Sequence, residues 1–285
     1  MNESASPPEL EGDGPLRTFV GLFFVPLLVV LLCVAVFIGF GWIAYDHKTT
    51  ADYLNDLRSG WRPRRAQAAY ELSKILVADP QALADDPGAR AELRGLFAEA
   101  DDGEMRRYLA LVLGYTGDRE ATALLIEAAG DEDSETRIYA LMALGTLGDP
   151  AAEPILSAAL GDPDPGIRKT AAHALGELGE VEAVPALEAL LDDAVADVRW
   201  NAALSLSRLG STAGGSVLLE MVDRRLVEQV PEITPAQTEE VMVEAIVALG
   251  VTGADAARPI LQNLAESDAS LKVRQAALEV LRALG

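Results

Sequence analysis

The chain has 285 residues, 50% of them apolar, 24% charged and 5% aromatic. That is too apolar for a disordered chain, and too poor in aromatics for a β-sandwich or barrel; its many Ala and Leu residues favour helices packed through small side chains. A formal charge of −22 repels phosphate backbones and argues against nucleic-acid binding, and one cysteine with two histidines excludes an intrachain disulfide and a zinc site of ordinary soft ligands.

Residues 1–17 form a short acidic tail. From Thr18 to Tyr45 no residue is charged. About 20 apolar residues suffice to cross a ~30 Å hydrocarbon core, so 18–45 reads as a transmembrane helix in contact with the bilayer. A cleaved signal peptide would need a basic start and a shorter apolar run. Arg17 stands before the segment, whereas Lys48, Arg58, Arg62, Arg64 and Arg65 follow it. That asymmetry predicts a single pass through the cell (inner) membrane, with the N-terminus outside and residues 46–285 in the cytoplasm.

The remainder is one unit written about seven times. Arg106, Arg137, Arg168 and Arg199 stand 31 residues apart, and weaker copies place Arg65 before them and Met242 and Arg274 after them. Counting from each of these anchors, position +7 is always leucine, from Leu72 to Leu281. Position +11 is glycine in six copies, and +3 is alanine in six. Positions +3, +4 and +7 share one helix face, where alanine permits close approach and leucine fills the seam. Glycine at +11 suits a left-handed helix end. A second amphipathic segment separates successive copies, for instance residues 151–161. Each unit is therefore a pair of helices that cannot bury its apolar faces alone, and stacking such pairs predicts an all-α solenoid.

An aspartate stands six residues before the anchor in four copies, as Asp131, Asp162, Asp193 and Asp268. Pairing it with the arginine of its own repeat would make a structural ladder that takes in Arg106, Arg137, Arg168, Arg199 and Arg274. Two insertions interrupt the array, near residues 79–88 and within 222–238. The second is expected to lengthen the first helix of its pair and add a loop, with Thr234 capping the next helix and Pro235 opening it.

The pattern of an acidic turn, an arginine, paired alanines, Leu-Gly and a closing Leu-Gly resembles HEAT repeats. Its 31-residue period is similar to the short HEAT-like class named after phycobilisome lyases. The resemblance covers about 52–285 and implies a scaffold or adaptor, with a cofactor-handling enzyme or chaperone of the lyase type as the alternative. It supplies no catalytic, cofactor-binding or metal-ligating residue. No phosphate-cradling glycine loop and no GxSxG elbow is present. The His-Glu dipeptides through which some helical-repeat hydroxylases hold iron are missing, since His47 precedes Lys48 and His173 precedes Ala174. The chain is expected to be no enzyme and to need no cofactor.

A partner surface is expected on the helix face set by +2 and +5. Those rows include Tyr70, Tyr108, Tyr139, Met142, His173 and Leu204, low in charge for so acidic a protein. The expected partner is a protein, as in an accessory subunit bound to an integral-membrane complex such as a transporter or respiratory assembly.

Overall fold

The computed structural model describes residues 24–44, 48–59, 61–231, 233–252 and 257–284. They fall into two units, 1–49 and 50–285. In the first, the described chain is a single helix, Val25–Ala44 (α1), of 20 residues without a charge. At 1.5 Å per residue it is about 30 Å long. Its side chains are described only between Phe24 and Phe37, and there the large apolar ones are exposed. Over the described residues no helix is long and apolar enough to cross a membrane. The acidic tail, residues 18–23 and Tyr45 lie outside the described residues.

The second unit is helical, with no strand among the described residues. Its pairs are Thr50–Ser59 (α2) with Arg62–Ala78 (α3), Pro87–Ala98 (α4) with Gly103–Tyr115 (α5), and Thr122–Ala128 (α6) with Ser134–Leu147 (α7). Glu153–Ala159 (α8) with Pro165–Leu178 (α9) and Val184–Ala189 (α10) with Ala196–Arg208 (α11) follow. The sixth pair is Gly215–Met221 (α12) with Pro235–Val251 (α14), with Arg224–Val227 (α13) between them, and the seventh is Arg258–Ser267 (α15) with Leu271–Ala283 (α16). The second helices α3, α5, α7, α9, α11, α14 and α16 pack side by side in that order.

Local chemistry starts these helices where it does. Asp102 accepts the Met105 N–H, and Asp133 that of Thr136, each satisfying an amide the helix leaves unpaired. Thr234 and Gln237 form a reciprocal capping box ahead of α14, with Pro235 as its first residue. At the other end, Gly148 closes α7 at φ 67°, a backbone that a side chain would strain. The leucines at +7 are buried from Leu72 to Leu249 and half-buried only at Leu281, in the last repeat. Each contributes about 1.5–3 kcal/mol.

Glycine at +8 sets the closeness of the stack. A Cβ at Gly114 would lie 2.8 Å from the Ala143 Cα, and one at Gly145 2.7 Å from the Ala174 Cα. Neighbouring second helices therefore meet backbone to backbone, +8 of one against +6 of the next. Two pairs carry serine at +8 instead. Ser73 of α3 turns its hydroxyl to the Tyr70 carbonyl of its own helix, at 2.7 Å, and α3 still packs closely along α5. Ser207 of α11 donates across to the Ala248 carbonyl of α14, at 3.0 Å. Here α11 and α14 touch along much less of their length than the second helices before them. The buried core divides at the same place, one part running from Leu54 to Leu206 and the other from Trp200 to Ala277.

The aspartate ladder runs between repeats rather than within one. Arg168 gives Nη1 to the main-chain carbonyl of Asp162 in its own turn, at 2.9 Å, and directs Nε and Nη2 to Asp193 of the next repeat, at 2.8 and 3.0 Å. Arg106 and Arg137 face Asp131 and Asp162 of the next repeat more loosely, with Nη2 at 3.7 and 3.9 Å and no hydrogen-bond partner for Nε. The local carboxylate is already committed, for Asp162 accepts the amide N–H of Asp164 two residues on. Arg199 and Arg274 close their own turns through the carbonyls of Asp193 and Asp268. Met242 is fully buried in place of an anchor arginine, and Arg224 takes over its pairing, reaching Asp268 at 2.7 Å. The second insertion thus makes a separate short helix, α13, instead of lengthening α12. Asp223 caps it, accepting the Arg225 N–H.

Candidate partner-binding strip

The +2 and +5 positions come together as one strip across α3, α5, α7, α9 and α11. Tyr70 and Tyr108 meet with ring centroids 5.2 Å apart, and Tyr108 meets Tyr139 edge-on at 6.2 Å. Such tilted pairs are favourable for rings whose faces are negative and edges positive. The tyrosines are therefore a continuous aromatic row rather than three isolated anchors. Tyr70 and Met142 are 40% and 41% exposed, whereas Tyr108, Tyr139, His173 and Leu204 are half-buried. Thr170, in the +2 row, is buried. The strip thus presents its +5 side chains most fully, and its +2 tyrosines also pack against the core.

Charge around the row is arranged rather than absent. The Lys74 ammonium lies 5.2 Å over the Tyr70 ring while also bonded to Glu71, and Arg107 pairs with Glu135 beside Tyr108. Burial and the neighbouring Tyr139 raise the Tyr108 phenol, which keeps it protonated. His173 is shifted the other way, lowered by burial and by the nearby Arg208 guanidinium. Arg208 lies 3.4 Å from Nδ1. Guanidinium can only donate, so a hydrogen bond there needs Nδ1 as the acceptor, while Glu177 near Nε2 pulls the other way. Asp193 is held below the usual carboxylate range by the Arg168 hydrogen bond, against the opposing pull of burial.

Residues of the ladder and of the strip lie on different parts of each helix. Arg106, Arg137, Arg168 and Arg199 are engaged with turns and neighbouring aspartates and do not line the strip. Trp200 is 6% exposed, wedged at the divide between the two parts of the core. Among the described residues no group of His, Cys, Asp and Glu side chains could hold a metal ion.

Stacked helix pairs in side-by-side register define an α-solenoid. The sequence profile of HEAT repeats matches residues 91–161, 125–207 and 153–233, together just over half of the chain, and the chain belongs to that family. No curated protein matches it. Among solved structures it is similar to the complex of CpcE and CpcF of phycocyanin lyase from Nostoc sp. PCC7120. The identity is 22% over 84% of this chain and 96% of that one, with a TM-score of 0.57. An engineered protein matches at 19% identity over 82% and 96%, with a TM-score of 0.45. Human deoxyhypusine hydroxylase matches at 20% identity over 82% and 95%, with a TM-score of 0.34. The lyase likeness concerns the fold.

Proposed function

We propose that this protein is a membrane-anchored HEAT-repeat adaptor, an accessory subunit that holds a protein partner belonging to an integral-membrane complex, and that it has no catalytic activity of its own. The observation that carries the reading is the aromatic and apolar row from Tyr70 through Tyr108 and Tyr139 to Met142, left open on a strongly acidic molecule. Aromatic and Met side chains are enriched where proteins meet. The anchor rests on the uncharged stretch 18–45, the all-round apolar character of α1 and the basic residues that follow it.

The test uses the two most exposed members of the row, because Tyr108 and Tyr139 also support the core. Tyr70→Ala/Met142→Ala should weaken capture of a stoichiometric integral-membrane partner after mild detergent extraction, by about 1–4 kcal/mol, with the melting midpoint nearly unchanged. Equal capture by the double variant would remove the strip as the grip. Recovery of a bound pigment or other cofactor in place of a protein would favour the lyase-type alternative. Protease added to intact spheroplasts should spare residues 46–285, and cleavage there would reverse the orientation.

A further inference from the structure

The interval between α11 and α14 holds a hollow of about 770 Å³. Its apolar wall is made by Val195, Trp200, Val230, Ile233 and Val241, and its acidic rim includes Asp197, Glu240 and Glu244. A smaller hollow of about 310 Å³ adjoins it, sharing Asp197, Trp200, Val241 and Glu244 and reaching Met142, His173 and Leu204. The two form one groove. It lies where α11 and α14 touch least: the anchor ladder has no aspartate for Arg199 in the following turn, and Gln229, Val230, Pro231 and Ile233 line the gap between the two helices.

We infer that this groove seats an apolar helix of a partner protein that carries two basic side chains one turn apart. The carboxylates select the charge. Asp197 is already paired with Lys169 at 3.2 Å, whereas Glu240 and Glu244 are exposed and make no ion pair or hydrogen bond among the described residues. They sit four residues apart on α14, and side chains at that spacing are about 5–6 Å apart. A Lys or Arg pair at i and i+4 of an incoming helix has the same spacing. The apolar wall behind them takes the ridge between those basic residues, the helix-in-groove mode of recognition. The groove is centred on the fifth and sixth repeats, and its smaller hollow reaches Met142 at the end of the tyrosine row, so the inference extends the proposed partner surface. Glu240 and Glu244 are not in that row, so substitutions there test the groove separately from the tyrosines.

The probe is a short synthetic peptide of leucine and alanine with arginines at i and i+4, added to the full chain in maltoside micelles. Trp200 reports from the groove wall once Trp42 and Trp61 are both replaced by Phe. The peptide should change Trp200 emission saturably, and Glu240→Gln/Glu244→Gln should raise the apparent Kd at least tenfold. Glu182→Gln/Glu188→Gln removes as much charge from exposed positions on the first-helix side of the fifth pair, outside the lining of the groove, and should leave the Kd within twofold. The reversal Glu240→Lys/Glu244→Lys should bind the same peptide made with glutamates. Equal weakening by the two neutral pairs would reduce the effect to the field of the whole molecule. An unresponsive Trp200, or a reversal that gains nothing, would overturn the site.

Discussion

Arg224 shows how one side chain repairs a break in a repeating structure. Its guanidinium reaches across 44 residues of sequence to Asp268, whose side chain is only 6% exposed. The preceding arginines reach only to the next turn, as Arg168 does to Asp193. Removing the Arg224 side chain leaves a buried carboxylate without its partner, so Arg224→Ala should cost about 1–3 kcal/mol in denaturant unfolding. Arg225, next in the chain, pairs with Asp223 in the open, with 84% of its side chain exposed. Arg225→Ala should leave stability unchanged. A similar loss in both variants would mean that the Asp268 pair has no special structural role.

At the level of helices, glycines at +8 let neighbouring second helices meet backbone to backbone. Gly145 and Gly95 are both helical glycines, and intrinsic propensity alone would have alanine improve either one by up to about 1 kcal/mol. A Cβ at Gly95 meets nothing within 4 Å, while one at Gly145 meets the backbone of α9. Overpacking against backbone costs about 1–3 kcal/mol and exceeds the propensity gain. Gly145→Ala should therefore destabilise the protein and Gly95→Ala should stabilise it slightly, as measured by urea midpoints. Stabilisation by both would show that α7 and α9 can separate without loss.

Over the whole molecule, 45 acidic residues face 23 basic ones. Salt has two opposite effects on such a body: it weakens the ion pairs and relieves the repulsion among surplus carboxylates. The Arg168–Asp193 and Arg224–Asp268 pairs are mostly shielded from solvent, with side-chain exposures of 17% and 9%, and 24% and 6%, so they are screened least. The exposed surplus is screened most. Raising NaCl from about 0.01 M to about 0.5 M shrinks the screening length from roughly 30 Å to a few ångströms. The melting midpoint should rise by a few degrees, about 2–6 °C, and a fall would mean that the surface pairs outweigh the repulsion.

Periodicity and caps were legible in the sequence alone, because they depend on residues within a turn or two of each other. The helix pairs, the leucines at +7, the left-handed glycines such as Gly148 and the Thr234–Pro235 start of α14 all belong to that class. So does membership of the +2 and +5 strip, since helix geometry by itself places Tyr70, Tyr108 and Tyr139 on one face. The tertiary structure decided what depends on residues about 25 to 44 positions apart. It assigned Asp193 to Arg168 rather than to Arg199, gave Asp268 to Arg224, and set Gly145 against Ala174. It also opened the α11–α14 groove beside Trp200, a position that in the sequence is one more residue of a helix. A repeat pattern records what successive units share, whereas the groove and its unpaired carboxylates arise where two neighbouring units fail to fit in the common way.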